Sequence, residues 1–386
     1  MTVGRLAVPG AKSPTLDVDA LITDRGVRIL ICTGAGGVGK TTMAAAMAVR
    51  AAVAGRKVAV LTIDPARRLA QSLGVGQLDN TPRTVDLGDL LADGATGTLD
   101  AMMLDMKRTF DEVVLSQATP EKAAQIFANP FYQALSTQFA GTQEYMAMEK
   151  LGQLHAEAER TGRWDLIIVD TPPARSALDF LDAPEHLSEL LDGRFLRLLL
   201  APAKGPLRMM SSGFNIVLST MSKVLGAQVL TDVQTFANAF ETLFGGFRQR
   251  AELTLRQLSS DHTRFCVVTT AERDTVREAA YFTSRLSEEK MPLAGVIVNR
   301  VHTTKVSISA ERALSLAEDL PADSPEAVAL TRHARVSRVR DQELGRIERF
   351  AAAHGDIPLR LVPALVHDVY DIESLATVGD LLGDSL

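Results

Sequence analysis

Eight consecutive residues, Gly34-Ala35-Gly36-Gly37-Val38-Gly39-Lys40-Thr41, carry the spacing G-x-x-x-x-G-K-[ST]. These residue types at this spacing suit the holding of a polyphosphate. Glycines let successive backbone N–H groups turn inward around phosphate oxygens with no Cβ in the way. Lys40 would neutralise the β- and γ-phosphates, Thr41 would offer its hydroxyl to Mg²⁺, and Thr42 would reach the α-phosphate. Two carboxylates complete the set. Asp170 closes the apolar run Leu166-Ile167-Ile168-Val169, where a carboxylate reaches the Mg²⁺ shell. Asp64 follows the run 57–63 and would orient a water against the γ-phosphate. Asn299 follows the run 293–298; it reads a base edge or serves as a turn residue, and both readings stand at this point.

A strand must deliver the glycine loop and a helix must follow it. The run 27–33 is apolar throughout, and 43–54 is rich in helix formers with Gly55 as a stop. Further apolar runs at 57–63, 164–169, 264–269, 293–298 and 359–362 read as strands buried on both faces. The expected class is therefore α/β, a P-loop NTPase core whose mostly parallel sheet is covered by helices on both faces. Residues 64–164 and 171–261 hold at most one weak strand, near 99–104, and read as helical. Excursions of that length are far longer than ordinary connections, so they are expected to pack on each other as one discontinuous helical domain. The boundaries follow: a mobile tail at 1–26, a core formed by 27–100 with 163–185 and 262–386, and a helical domain formed by 101–162 with 186–261.

Composition limits the remaining classes. Of 386 residues, 46% are apolar and 23% charged, which excludes collagen-like, coiled-coil and disordered chains. A net charge of −6 argues against a general nucleic-acid surface. The Arg-rich stretch 331–350 interleaves acidic residues and reads as a solvated helix face. Residues 1–26 lack the apolar core of a signal peptide, and no apolar stretch reaches the ~18–20 residues of a membrane span. A soluble, cytoplasmic protein without direct membrane insertion is expected.

Three segments in this order, TGAGGVGKTT (33–42), IDPARRLAQSLG (63–74) and IIVDTPPARSALDFL (167–181), resemble the P-loop, switch I and switch II of the ArsA/Get family. That family includes the arsenite-efflux ATPase and the ATPase that targets tail-anchored membrane proteins. Residues 130–151 and 171–183 are similar to its bacterial, anion-transporting-ATPase-like branch, and within it to one member of an actinobacterial pair of paralogues. The resemblance implies an eight-stranded α/β core with a helical subdomain, working as a nucleotide-closed dimer. It also implies roles: Asp64 positions the hydrolytic water, Asp170 belongs to the metal shell, Asn299 hydrogen-bonds adenine, and Pro363 and Ala364 flank the base.

Three departures from the family pattern matter. The family carries a signature Lys at the second loop position, which crosses the dimer to the partner's phosphates; here that position is Ala35. Removing such a charge weakens transition-state stabilisation. A heterodimer with a paralogous P-loop ATPase that carries the Lys is one reading. Substitution by Arg67, Arg68 or Arg175 is a second, weak hydrolysis by the isolated chain a third, and neutral variation within a homodimer a fourth. The C-x-x-C zinc site of the eukaryotic members is missing, so no zinc is expected. Cys32 and Cys266 fall inside apolar runs and read as small hydrophobes rather than metalloid ligands.

The segment 195–230 is rich in Met and Leu. Met209, Met210, Phe214, Val217, Met221 and Leu225 form either an apolar client groove or the core of the helical domain. The expected function is an Mg·ATP-dependent ATPase switch. It would couple hydrolysis to dimer closure and to rearrangement of an apolar helical domain, in a chaperone or targeting role with a hydrophobic protein client. The alternatives are the ATPase subunit of an anion or metalloid export system, and a regulatory ATPase with a protein partner and no hydrophobic cargo.

Overall fold

The computed structural model describes residues 13–64, 68–92, 94–130, 132–133, 136, 142–172 and 249–383. The chain divides into two compact units, Met1–Met103 with Arg160–Ala177 and Leu258–Leu386, and Leu104–Glu159 with Leu178–Gln257.

The first unit is built on one eight-stranded sheet, ordered β3-β4-β2-β5-β1-β6-β7-β8. The strands are β1 (Ile29–Gly34), β2 (Lys57–Thr62), β3 (Arg83–Thr84), β4 (Thr98–Met103), β5 (Leu166–Asp170), β6 (Thr263–Thr270), β7 (Leu293–Val301) and β8 (Leu359–Pro363). All neighbours are parallel except β3 with β4. The inner strands are buried on both faces, as their unbroken apolar runs require. This is the α/β fold of a P-loop NTPase. Helix α2 (Lys40–Val53) follows β1, and its Ala-rich sequence is buried along most of its length. The C-terminal helix Ile372–Leu382 packs on it.

Two features differ from the expectation. The stretch 64–164, read as holding at most one weak strand, contributes two: β4, at the place expected for that strand, and the short β3 that pairs with it. Asp100 interrupts the apolar pattern of β4, yet it is buried, because four donors serve it. Trp164 Nε1, Arg163 Nε and Nη2, and Thr84 Oγ1 lie 2.7–3.0 Å from its oxygens. A fully bonded buried carboxylate is tolerated where an unpaired one is not. The second difference concerns the tail at 1–26, of which residues 13–26 are folded. Helix α1 (Val18–Thr23) buries Val18 and Ile22, and Leu16 N donates to the Leu359 carbonyl at 3.0 Å. Arg56 fixes this segment by donating to the carbonyls of Ile22, Asp24 and Val27.

The described part of the second unit contains α3 (Met106–Gln117), α4 (Pro120–Phe127) and most of α5 (Thr142–Thr161). Phe110 meets Tyr132 edge-on at 5.7 Å, and Arg250 Nε donates to both oxygens of Glu149. The groove candidates Met209, Met210, Phe214, Val217, Met221 and Leu225 lie outside the described residues, as do Arg67 and Arg175. Among the described residues, no helix is long and apolar enough to cross a membrane.

Candidate phosphate and metal site

The parallel register sets the site. β1 lies between β5 and β6, and Asp170 is the register partner of Cys32 on β1 and of Thr62 on β2. β2 and β5 end at this level and β1 two residues beyond it, and at such ends of an α/β sheet ligands bind. Gly34 ends β1 with φ 149°, and a Cβ there would overlap the Val268 carbonyl oxygen of β6. Only glycine leaves the strand at this point. The loop then runs through Ala35, which is buried, and the exposed Gly36 and Gly37. Val38 is buried, and Gly39, at φ 97°, caps the N-terminus of α2. That terminus presents backbone N–H groups and a partial positive charge suited to an anion.

Lys40 is buried, and its ammonium donates to the Ala35 carbonyl at 2.8 Å, bridging the loop it follows. Burial lowers its pKa, and the negative charges of Asp170 and Asp64 oppose that shift. Thr41 Oγ1 donates to Asp170 Oδ2 at 2.7 Å, and Thr62 Oγ1 donates to the same oxygen at 2.9 Å. Asp170 Oδ1 is buried without a hydrogen-bond partner among the described residues. Burial pushes the Asp170 carboxyl up to about 6, against the two hydroxyls and Lys40, which lower it. A buried carboxylate oxygen with a free lone pair, beside a threonine hydroxyl at a helix N-terminus, fits a hard divalent cation that takes oxygen ligands. Asp64 lies just beyond β2, close enough for its charge to act on both Lys40 and Asp170. Thr42 is half-buried in the first turn of α2.

On the other side of β1, Asn299 stands at the end of β7. Its Nδ2 donates to the Val38 carbonyl at 2.8 Å, and its Oδ1 accepts from Arg300 N at 2.8 Å. Arg300 Nη1 donates to the Gly37 carbonyl at 3.1 Å. Pro363 pairs with Val301, and Ala364 N donates to the Val301 carbonyl at 2.9 Å, so both adjoin the end of β7. Cys32 and Cys266 are register partners on β1 and β6. Burial pushes the Cys266 thiol up to about 12 and that of Cys32 well above its usual value.

The structure thus gathers Lys40, Thr41, Asp64 and Asp170 on one side of the loop and Asn299 on the other. The sequence reading missed two residues of this site. Thr62 was lost within an apolar run, although a hydroxyl two residues before Asp64 was a usable signal. Arg300 had no signal, because its reach depends on a local distortion of β7.

Comparison with known proteins agrees with this geometry. A family model described as anion-transporting ATPase matches residues 27–313, about three quarters of the chain. Protein Rv2184c of Mycobacterium tuberculosis is 33% identical over 177 residues, covering 41% of this chain and 37% of that protein. ATPase BagA of the same organism is 23% identical over 285 residues, 71% of this chain and 65% of that protein. ATPase GET3B of Arabidopsis thaliana is 25% identical over 325 residues, 77% of this chain and 70% of that protein. The match spans less than half the length of Rv2184c and about two thirds of BagA. With the family model covering most of the P-loop core and the loop, helix and carboxylates in place, the chain belongs to the anion-transporting ATPase (ArsA) family.

Proposed function

We propose that the chain is an Mg·ATP-dependent ATPase switch. The observation that supports this best is Asp170. One of its oxygens is held by Thr41 and Thr62, and the other, at the mouth of the glycine loop, is buried without a partner among the described residues.

In this reading, the loop from Gly36 to Thr42 wraps the phosphates with its N–H groups, and Lys40 leaves the Ala35 carbonyl for the β- and γ-phosphates. Asp64 orients a water for in-line attack on the γ-phosphate, with the transferred phosphoryl held by Lys40. Thr41 and Asp170 would hold Mg²⁺, which would supply charge neutralisation for the phosphates. Asn299 retains one N–H and one lone pair beyond its bonds within the chain, enough to read an adenine edge, and Pro363 and Ala364 flank the base.

Chain connectivity supports the switch reading. Asp170 lies seven residues before Ala177, where the first unit passes into Leu178 of the second. Loss of the γ-phosphate moves the segments 64–74 and 170–182, and the second unit receives the change. A dimer closed by nucleotide, a heterodimer with a Lys-bearing paralogue, and a hydrophobic protein client complete the reading. The resemblance to the family supports the dimer, and Ala35 in place of the Lys supports the heterodimer.

The test has two parts. Phosphate release by the purified chain is measured with ATP, with and without Mg²⁺. The native complex is isolated with Mg·ATP, its mass is measured, and its subunits are identified. Mg²⁺-dependent release supports the ATPase, and its absence in both the chain and the native complex overturns it. A complex with a second P-loop ATPase supports the heterodimer, and a homodimer of ordinary rate overturns that part alone.

A further inference from the structure

The end of β7 is distorted in a way that serves the glycine loop. β7 and β8 run in register through Val298 and Leu361, and the next pair is Val301 with Pro363. β7 therefore takes one residue more than β8 over this step, which is a bulge at Asn299 and Arg300. Arg300 sits at φ 59°, a left-handed conformation that is costly for a residue with a Cβ. Successive side chains on a regular strand point to opposite faces. Here two successive side chains both reach the loop, Asn299 at the Val38 carbonyl and Arg300 at the Gly37 carbonyl.

A trans peptide is planar, and its C=O points opposite to the N–H of the next residue. Holding the Gly37 carbonyl turns the Val38 N–H away from β7, and holding the Val38 carbonyl does the same for the Gly39 N–H. Both N–H groups belong to the stretch whose spacing demands donors for phosphate. We propose that Arg300 is a positioning residue of the phosphate loop. With Asn299 it forms a two-point clamp that fixes the Gly37 and Val38 peptide planes, shaping the loop for a polyphosphate before one arrives. The inference rests on the reading of residues 34–41 as the nucleotide site. In this role Arg300 acts through the loop backbone and touches no substrate.

The experiment uses the full chain and two probes, inorganic tripolyphosphate and ATP, with affinities measured by calorimetry. The variants are Arg300→Gly, Arg300→Ala and Arg300→Lys, each with its melting temperature. Glycine takes a left-handed backbone freely, so Arg300→Gly is expected to melt no lower than wild type. It is nevertheless expected to bind both probes about tenfold more weakly, the size of one lost charge-assisted hydrogen bond. Arg300→Lys recovers part of that loss, and KM for ATP rises in Arg300→Gly while kcat stays close to wild type. Unchanged binding of both probes in Arg300→Gly overturns the clamp and leaves Arg300 a role in the bulge alone. Weaker ATP binding with unchanged tripolyphosphate binding also overturns it, in favour of a contact to base or ribose. If wild type binds neither probe, the nucleotide reading itself fails, an outcome distinct from both.

Discussion

The Thr41 hydroxyl donates to the Asp170 carboxylate over 2.7 Å, which ties the first turn of α2 to the end of β5. That bond uses one carboxylate oxygen, and the other is buried without a partner among the described residues. An ionised carboxylate in that position destabilises the fold when no cation is bound. Asp170→Asn keeps an acceptor for Thr41 and Thr62 and removes the charge. The variant is expected to melt at or above the wild-type temperature in the absence of Mg²⁺ and nucleotide. Its Mg²⁺-dependent phosphate release should fall about 100-fold or more, because a metal-shell oxygen is lost. Melting curves and phosphate release measure the two together. A variant with Mg²⁺-dependent turnover near wild type would remove Asp170 from the metal shell.

Lys40 and Asp64 lie at the same mouth but are assigned different steps, and two variants separate them. Lys40→Ala removes the ammonium proposed to serve the phosphates, and it also frees the Ala35 carbonyl. ATP affinity is expected to fall about 100-fold, a loss typical of a charge paired with phosphate in a shielded site. Asp64→Asn leaves the loop bonds intact and is expected to bind ATP within about threefold of wild type. Its turnover should fall about 100- to 1,000-fold, the scale of losing the group that orients the nucleophile. Equilibrium binding set beside single-turnover hydrolysis reads the split. Equal loss of binding in both variants would remove the water-positioning role from Asp64.

Two glycines bound the loop, and their surroundings differ. A Cβ at Gly34 would meet the Val268 main-chain carbonyl, which β6 holds in the sheet. A Cβ at Gly39 would meet the end of the Asn299 side chain, which can swing aside. Gly34→Ala is expected to destabilise the first unit by about 3 kcal/mol or more, because backbone must shift. Gly39→Ala is expected to cost about 1–2 kcal/mol of stability from its positive φ, and to weaken tripolyphosphate binding as well, by displacing Asn299 from Val38. Urea unfolding measures the first quantity and calorimetry the second.

The parts of the site that were legible in the sequence are those held by local pattern. Gly34 to Thr41 follow a fixed spacing, and a buried parallel strand that ends in a carboxylate can be read from Leu166 to Asp170. β4 reads only as a weak strand near 99–104, because Asp100 breaks its apolar run. Its partners Trp164, Arg163 and Thr84 are remote in sequence and close only after the sheet has formed. Residues 13–26 look like a polar tail, because the group that fixes them, Arg56, lies beyond α2 and its bonds go to backbone carbonyls that carry no residue signature. Arg300 followed the same logic. A bulge between β7 and β8 depends on how two strands register, and neither strand shows it alone.

Arg56 offers the last test. It precedes β2, is only 1% exposed, and donates five hydrogen bonds. Three go to the carbonyls of Ile22, Asp24 and Val27, one to the Asp165 carbonyl and one to the Asp165 carboxylate. A guanidinium presents five N–H donors in a rigid fork, and an ammonium presents three from one point. Arg56→Ala strands several buried carbonyls and is expected to cost about 3–5 kcal/mol of stability. Arg56→Lys should recover less than half of that. The site lies at the opposite end of β2, which spans six residues, or about 20 Å. ATP affinity below the lowered melting point should therefore stay within about twofold of wild type, since no bonded neighbour is shared. Urea unfolding with ATP titration of both variants decides it. A fall in ATP affinity as large as the Lys40→Ala loss, in protein that is still folded, would mean that residues 13–26 act on the site and do more than cover the edge of the sheet.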